Sequence, residues 1–236
     1  MKFTYSIPTK ILFGPGSFND LATTPLPGKK ALVVITAGKS MRANGYLDRL
    51  IDMLDKQGIG HALFDKILPN PVLRHVHEGA ALAREQGCDF VIGLGGGSSI
   101  DSAKSIAVMA KNPGDYWDYI SGGSGKGQPL VNGALPIVAI ATTAGTGTEA
   151  DPWTVITKED TNEKIGFGCA ETFPVLSVVD PEMMLTIPAH LTAYQGFDAL
   201  FHATEGYIAN VATPLSDAYA LKSIELLAKY LPAAVK

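Results

Sequence analysis

The sequence predicts an α/β fold, a parallel sheet covered by helices on both faces, followed by the opening of an all-helical region. Three observations predict it. Apolar runs without alternation (KALVVIT at 30–36, DFVIGL at 89–94, and Leu135 to Ala141) have the texture of strands buried on both faces. Stretches of helical period separate these runs, so the strands are joined by crossovers and run parallel. Beyond about Met183 strand signals stop, and two helical stretches remain.

The first strand-like stretch is Lys2 to Phe13, rich in β-branched and aromatic residues and closed by Gly14-Pro15-Gly16. After KALVVIT, a helix is expected from about Met41 to Gln57, with Leu47, Leu50, Ile51 and Leu54 on one face and Gly58 as its stop. HALFDKI reads as a strand, and Val72 to Gln86 as a helix ending at Gly87. DFVIGL follows, then a helix to about Ala110, a Gly/Ser-rich loop near 121–127, and the strand closing at Ala141. Trp153 to Thr157 and Lys164 to Phe167 flank the polar turn EDTNE and predict a hairpin. Val175 to Val179 is one more apolar strand, stopped by Asp180-Pro181. Leu191 to Ala209 and Pro214 to Tyr230 are the two late helices, and they divide the chain into an α/β unit, 1–182, and the beginning of a helical unit, 183–236. Two helices have little of their own to pack on, so this second unit is expected to be truncated, with exposed apolar faces.

Hydrophobic residues make up 46% of the 236 and charged residues 18%, enough for a sizeable core and too apolar for disorder. A net charge of −4 gives no basic footprint for nucleic acid. Cys88 and Cys169 are far apart, which is no disulfide framework and fits a reducing compartment. The start, MKFTYSIPTKILFGPGS, lacks the apolar core of a signal peptide, and no run reaches the roughly 20 apolar residues of a membrane span. A cytoplasmic protein is expected, with a homodimer as the common arrangement of soluble oligomers.

Three features carry chemistry. In FVIGLGGGSSIDSAKSIA, Gly95, Gly96 and Gly97 stand between a buried strand and a helix, where glycine lets the backbone approach a ligand closely. The helix start offers free N–H groups and the positive end of its dipole to a pyrophosphate. Ser98 or Ser99 is expected to cap it, and Ser98 with Asp101 has the spacing of a capping box. A plain strand–turn–helix connection uses the same residues. The turn is neither a Walker loop nor the GxGxxG of a first βα unit.

A second small-residue loop, ATTAGTGTE at 141–149, follows the next buried strand, where α/β folds bind ligands; its threonines also suit a turn that merely satisfies its own backbone. The third feature is GFDALFHATE, in which Asp198 and His202 lie one helical turn apart on one face. A carboxylate and an imidazole so placed suit iron(II) or zinc, and equally form a surface salt link. His75 and His77 face different ways, and His61 and His190 have no partner at ligand spacing.

GLGGGSSIDSAK, ATTAGTGTEA, FPVLSVVDP and LTAYQGFDALFHATEGY, in this order and with FGPGS near the start, resemble the iron-containing (group III) alcohol dehydrogenase family. The resemblance implies a Rossmann-like dinucleotide domain leading into a helical domain, the architecture also of dehydroquinate synthase. It implies that Gly95, Gly96, Gly97 and Ser98 cradle the pyrophosphate of NAD or NADP, and that Asp101 lines the cleft toward the nicotinamide. Thr142, Thr143 and Thr146 would contact phosphates, ribose or nicotinamide, and Lys164 the nicotinamide ribose. Asp198 and His202 would be the first two ligands of Fe2+ (or Zn2+), the family's other two being histidines further on in the helical domain. The implied reaction interconverts primary alcohols and aldehydes by hydride transfer.

An acid after the first buried strand would reject a 2′-phosphate. Here Ala37-Gly38-Lys39-Ser40 follows instead, with Arg42 near, so NADP is expected to be accepted. A glycerol-dehydrogenase-like or dehydroquinate-synthase-like enzyme, or a fragment that binds cofactor without turnover, are the alternatives. DALFHATE favours the dehydrogenase over the synthase.

Overall fold

The computed structural model describes residues 1–236. Its main sheet has six parallel strands, built in chain order from β1 (Lys10–Phe13), β2 (Lys30–Thr36), β3 (Gly60–Ile67), β4 (Phe90–Gly95), β5 (Ile137–Ala141) and β8 (Leu176–Val179), with spatial order β1-β8-β5-β4-β2-β3. Between β5 and β8 the chain forms an antiparallel hairpin, β6 (Thr154–Lys158) and β7 (Glu163–Phe167), closed by the expected turn. The helices are α1 (Ser40–Ala43), α2 (Tyr46–Lys56), α3 (Leu73–Glu85), α4 (Gly97–Lys111), α5 (Ala189–Ile208) and α6 (Pro214–Ala234).

Chain direction across the sheet decides which face each helix covers. The step from β2 to β3 runs outward, and α2 packs with Phe18, Val33, Ile92 and Val138 in one core. The steps from β3 to β4 and from β4 to β5 run the other way. Accordingly α3 and α4 bury Val76, Ala80, Ile106 and Ala107 against the opposite face, with Leu32, Val34 and Val91. Right-handed crossovers require this change of face. The reversal falls between β2 and β4, and at such a switch point the strand ends leave a crevice open.

Three local expectations differ, and one further element is added. The first strand is only Lys10–Phe13, and residues 1–9 have no regular structure, since Pro8 offers no N–H to a ladder. The helix foreseen over 41–57 is two, α1 and α2, separated at Asn44-Gly45, where Gly45 has φ +70°. Neither Ser98 nor Ser99 caps α4. Its N-cap is Gly96, with no side-chain bond, and Ser99 is buried with its hydroxyl unpartnered. Finally, a 3-10 turn at Tyr116–Tyr119, capped by Asp115, precedes the Gly/Ser loop.

Two motifs at opposite ends of the α/β unit meet at the sheet edge. β1 pairs with β8, and the buried Asp180 that ends β8 accepts hydrogen bonds from the amides of Gly16 (3.2 Å), Phe18 (3.1 Å) and Glu182 (3.0 Å). FGPGS and VVDP are thus one structural joint.

Candidate dinucleotide site and the Asp-His helix

β4 and β5 are neighbours with Gly95 opposite Ala141, so the glycine turn and the threonine loop leave the sheet side by side. The amide of Thr142 donates to the carbonyl of Gly95 (3.0 Å). Gly95 itself has φ +143°, a backbone conformation that suits glycine. A Cβ on Gly96 would lie 2.9 Å from Thr143 Oγ1, and one on Gly97 2.9 Å from Thr146 Cγ2. The fit of the two loops to each other therefore leaves no free room for a Cβ at Gly96 or Gly97. On the other side of β4, β2 delivers Gly38, Lys39 and Ser40 to the same edge, all exposed. A cleft of about 170 Å³ has Ser40, Met41, Thr142, Thr143 and Gln195 in its wall, drawing on both sides of the switch point.

Asp101 and Lys164 are placed differently from the other candidates. Asp101 Oδ1 accepts from Thr148 Oγ1 (2.7 Å) and Oδ2 from the amide of Val155 (3.0 Å), so both oxygens already hold protein groups. Burial raises the pKa of this carboxyl, against those two hydrogen bonds. Lys164, on β7, donates to Asn70 Oδ1 (2.8 Å) in the loop after β3. Asn70 holds φ +59°, and Val72 bridges to Thr157, so this corner is built jointly by the hairpin and the end of β3. Arg42 pairs with Asp65 near the end of β3 (2.5 Å), which leaves Lys39 as the cation beside Gly38 and Ser40 that is in no ion pair.

α5 approaches the threonine loop from the helical side. The amide of Ala144 donates to Gln195 Oε1 (3.0 Å), and a Cβ on Gly145 would come within 2.9 Å of Asp198 Oδ2. His202 Nε2 lies 3.6 Å from Asp198 Oδ1, with the two side chains 57% and 45% exposed. One carboxylate and one imidazole on adjacent turns, half open to solvent, fit two positions of a divalent-metal ligand set. No group of three or more His, Cys, Asp and Glu side chains converges anywhere in the chain.

Sequence reasoning did not single out Gln195, Asn70 or Lys104. Gln195 is three residues before Asp198, on the same helical face, and that spacing was the available signal. Lys104 stands among Ala103, Ser105, Ile106 and Ala107, a lone cation in an otherwise small and apolar stretch of helix.

The family model described as iron-containing alcohol dehydrogenase matches residues 8–181, and that of the C-terminal part of the Fe-containing alcohol dehydrogenase family matches 192–236. A choline dehydrogenase of Bacillus subtilis is 40% identical over 97% of this chain and 56% of its own length. An NAD-dependent methanol dehydrogenase of Bacillus methanolicus is 37% identical over 98% of this chain and 59% of its own. The crystal structure of NADH-dependent butanol dehydrogenase A from Thermotoga maritima superposes with a TM-score of 0.89 at 34% identity, covering 98% of this chain and 57% of that one. The chain thus spans somewhat more than half the length of the relatives it matches.

Proposed function

On the footing that the chain belongs to the iron-containing alcohol dehydrogenase family, we propose that it holds a nicotinamide dinucleotide across the ends of β2, β4 and β5. We further propose that Asp198 and His202 provide part of a divalent-metal site, and that the activity served is interconversion of a primary alcohol and its aldehyde. The observation that carries this reading is the contact of the glycine turn with the threonine loop, beside a helix bearing Asp198 and His202. Gly95, Gly96, Gly97 and Ser98 lie at the uncapped N-terminus of α4, where backbone N–H groups and the helix dipole favour a pyrophosphate. Thr142, Thr143 and Thr146 offer hydroxyls along the same edge.

Asp101 acts from beneath, by holding Thr148 and the start of β6. Lys164, held by its hydrogen bond to Asn70, is read as the group that meets the nicotinamide ribose. When bound, iron(II) supplies Lewis acidity for the substrate oxygen and the nicotinamide carries the hydride chemistry. Zinc meets the same two donors. Gly38, Lys39 and Ser40 present no carboxylate to a 2′-phosphate, so NADPH is accepted beside NADH. The substrate is a small alcohol or aldehyde, the assembly a homodimer in the cytoplasm, and the boundary between nucleotide and metal units lies near 182. No helix of the chain is long and apolar enough to cross a membrane.

One observation favours a second reading, nucleotide binding without turnover by these 236 residues alone: no third ligand converges on Asp198 and His202. Oxidation of NADH and NADPH with iron(II) and butanal separates the readings. Turnover abolished by Asp198→Ala supports the first. Reduced-nucleotide fluorescence that responds to the protein, without turnover, supports the second. Absence of both contradicts the proposal.

A further inference from the structure

The most heavily buried charge in the molecule has no role in the reading above. Lys104 lies two turns into α4 and its side chain is 0% exposed. Its Nζ donates to the carbonyl oxygens of Asp151 (2.8 Å) and Trp153 (2.8 Å) and to Thr148 Oγ1 (2.7 Å), with Asp151 Oδ1 at 3.3 Å. Three acceptors take up all three ammonium protons. Because Thr148 Oγ1 accepts from the ammonium, its own proton points to Asp101 Oδ1 (2.7 Å), and Asp101 Oδ2 receives the amide of Val155. Asp151 in turn accepts from the amide of Trp153 (2.7 Å).

An ammonium removed from water costs several kcal/mol unless it is paired and hydrogen-bonded, and here it is both. Burial lowers the pKa of Lys104, while the carboxylates of Asp151 and Asp101 oppose the shift. Every partner except Asp101 and Val155 belongs to residues 142–153, which contain no helix or strand of their own. The first half of that segment carries Thr143 and Thr146, which abut Gly96 and Gly97 at the start of the helix that bears Lys104.

We propose that Lys104 is a positioning residue, which fixes the threonine loop against the glycine turn and thereby sets nucleotide affinity. The nucleotide part rests on the dinucleotide reading; the anchoring part does not. A neutral isostere fills the space but cannot donate, so it leaves the Asp151 and Trp153 carbonyls and Thr148 Oγ1 without their donor, and Asp151 without its counter-charge.

The test compares the parent chain with Lys104→Met, Lys104→Ala and Thr148→Val. Hydrogen exchange is read in β2, β4 and residues 142–155, and NADH and NADPH affinity by fluorescence. The expected result for Lys104→Met is strands protected as in the parent, loss of protection over 142–155, and nucleotide affinity weaker by about tenfold or more, equivalent to about 1.4 kcal/mol. Added propylamine is expected to restore affinity in Lys104→Ala, a rescue that a simple packing role would not give. Thr148→Val, which keeps the charge and removes the hydroxyl link, covers the case in which the lysine variants do not fold; it too is expected to lose protection over 142–155. Full protection of 142–155 in any folded variant overturns the anchoring. Parent-like affinity with the loop unprotected overturns its consequence for binding. A parent chain that binds neither nucleotide refutes the dinucleotide reading, and the exchange data still decide the anchoring.

Discussion

Gly93 sits in the middle of β4 because α4 crosses directly above it. A Cβ there would lie 2.9 Å from the backbone Cα of Ile100 and 3.0 Å from Ala103 Cβ, and backbone cannot swing away as a side-chain tip can. Gly93→Ala is therefore expected to cost about 1–3 kcal/mol, the usual penalty of overpacking, read as a lower urea midpoint with an unchanged slope. His75 makes a different residue-scale prediction. It is 4% exposed, its Nδ1 has no partner, and Phe64 stands edge-on at 6.4 Å. Burial, seconded by the Arg74 guanidinium, holds its pKa below the ordinary value. With the folded value below the unfolded one, the unfolded chain takes up the proton first as pH falls. Stability contributed by neutral His75 is thus present above about pH 6.5 and declines below it, by at most about 1.4 kcal/mol per pH unit. Urea titrations at pH 7 and 5 check this, with a flatter dependence expected in His75→Leu.

At the scale of elements, the strands were the most legible part of the sequence, because strands buried on both faces must be continuously apolar. β2 and β5 fall within the runs that predict them, β4 is shifted by one residue from its run, and all their residues from Ala31 to Ile35, Phe90 to Gly95 and Ile137 to Ala141 are buried. Helix boundaries were less legible. The α1–α2 break depends on the positive φ of Gly45, and an apolar period running through both helices does not reveal it. Contacts made by side chains from distant segments were not legible at all. The hold of Asp180 on Gly16 and Phe18, and that of Gln195 on Ala144, exist only once the sheet and α5 are in place. The expected apolar faces of the late helices are present: Tyr194, Phe197, Phe201, Tyr219 and Leu221 are each at least half exposed. The 236-residue chain is accordingly expected to bind a hydrophobic dye and to self-associate with rising concentration. Phe201→Glu with Leu221→Lys should reduce both without lowering the thermal midpoint, and light scattering with dye fluorescence measures it.

For the molecule as a whole, strand order places the chemistry. The reversal between β2 and β4 brings the ends of β2, β4 and β5 to one edge, so that Gly38–Ser40, Gly95–Ser98 and Thr142–Thr146, far apart in sequence, leave the sheet side by side. α5 then lays Asp198 against Gly145 at the same edge. The sequence motifs named the parts of this arrangement, whereas their juxtaposition required the topology. The most direct test of it is fluorescence titration of NADH and NADPH against the parent chain and Gly97→Val, a substitution whose Cβ would lie 2.9 Å from Thr146 Cγ2. The account predicts saturable binding of both nucleotides by the parent and an affinity weaker by about tenfold or more, roughly 1.4 kcal/mol, in a variant that remains folded. Equal affinity in parent and variant, or no binding by a folded parent, would contradict it.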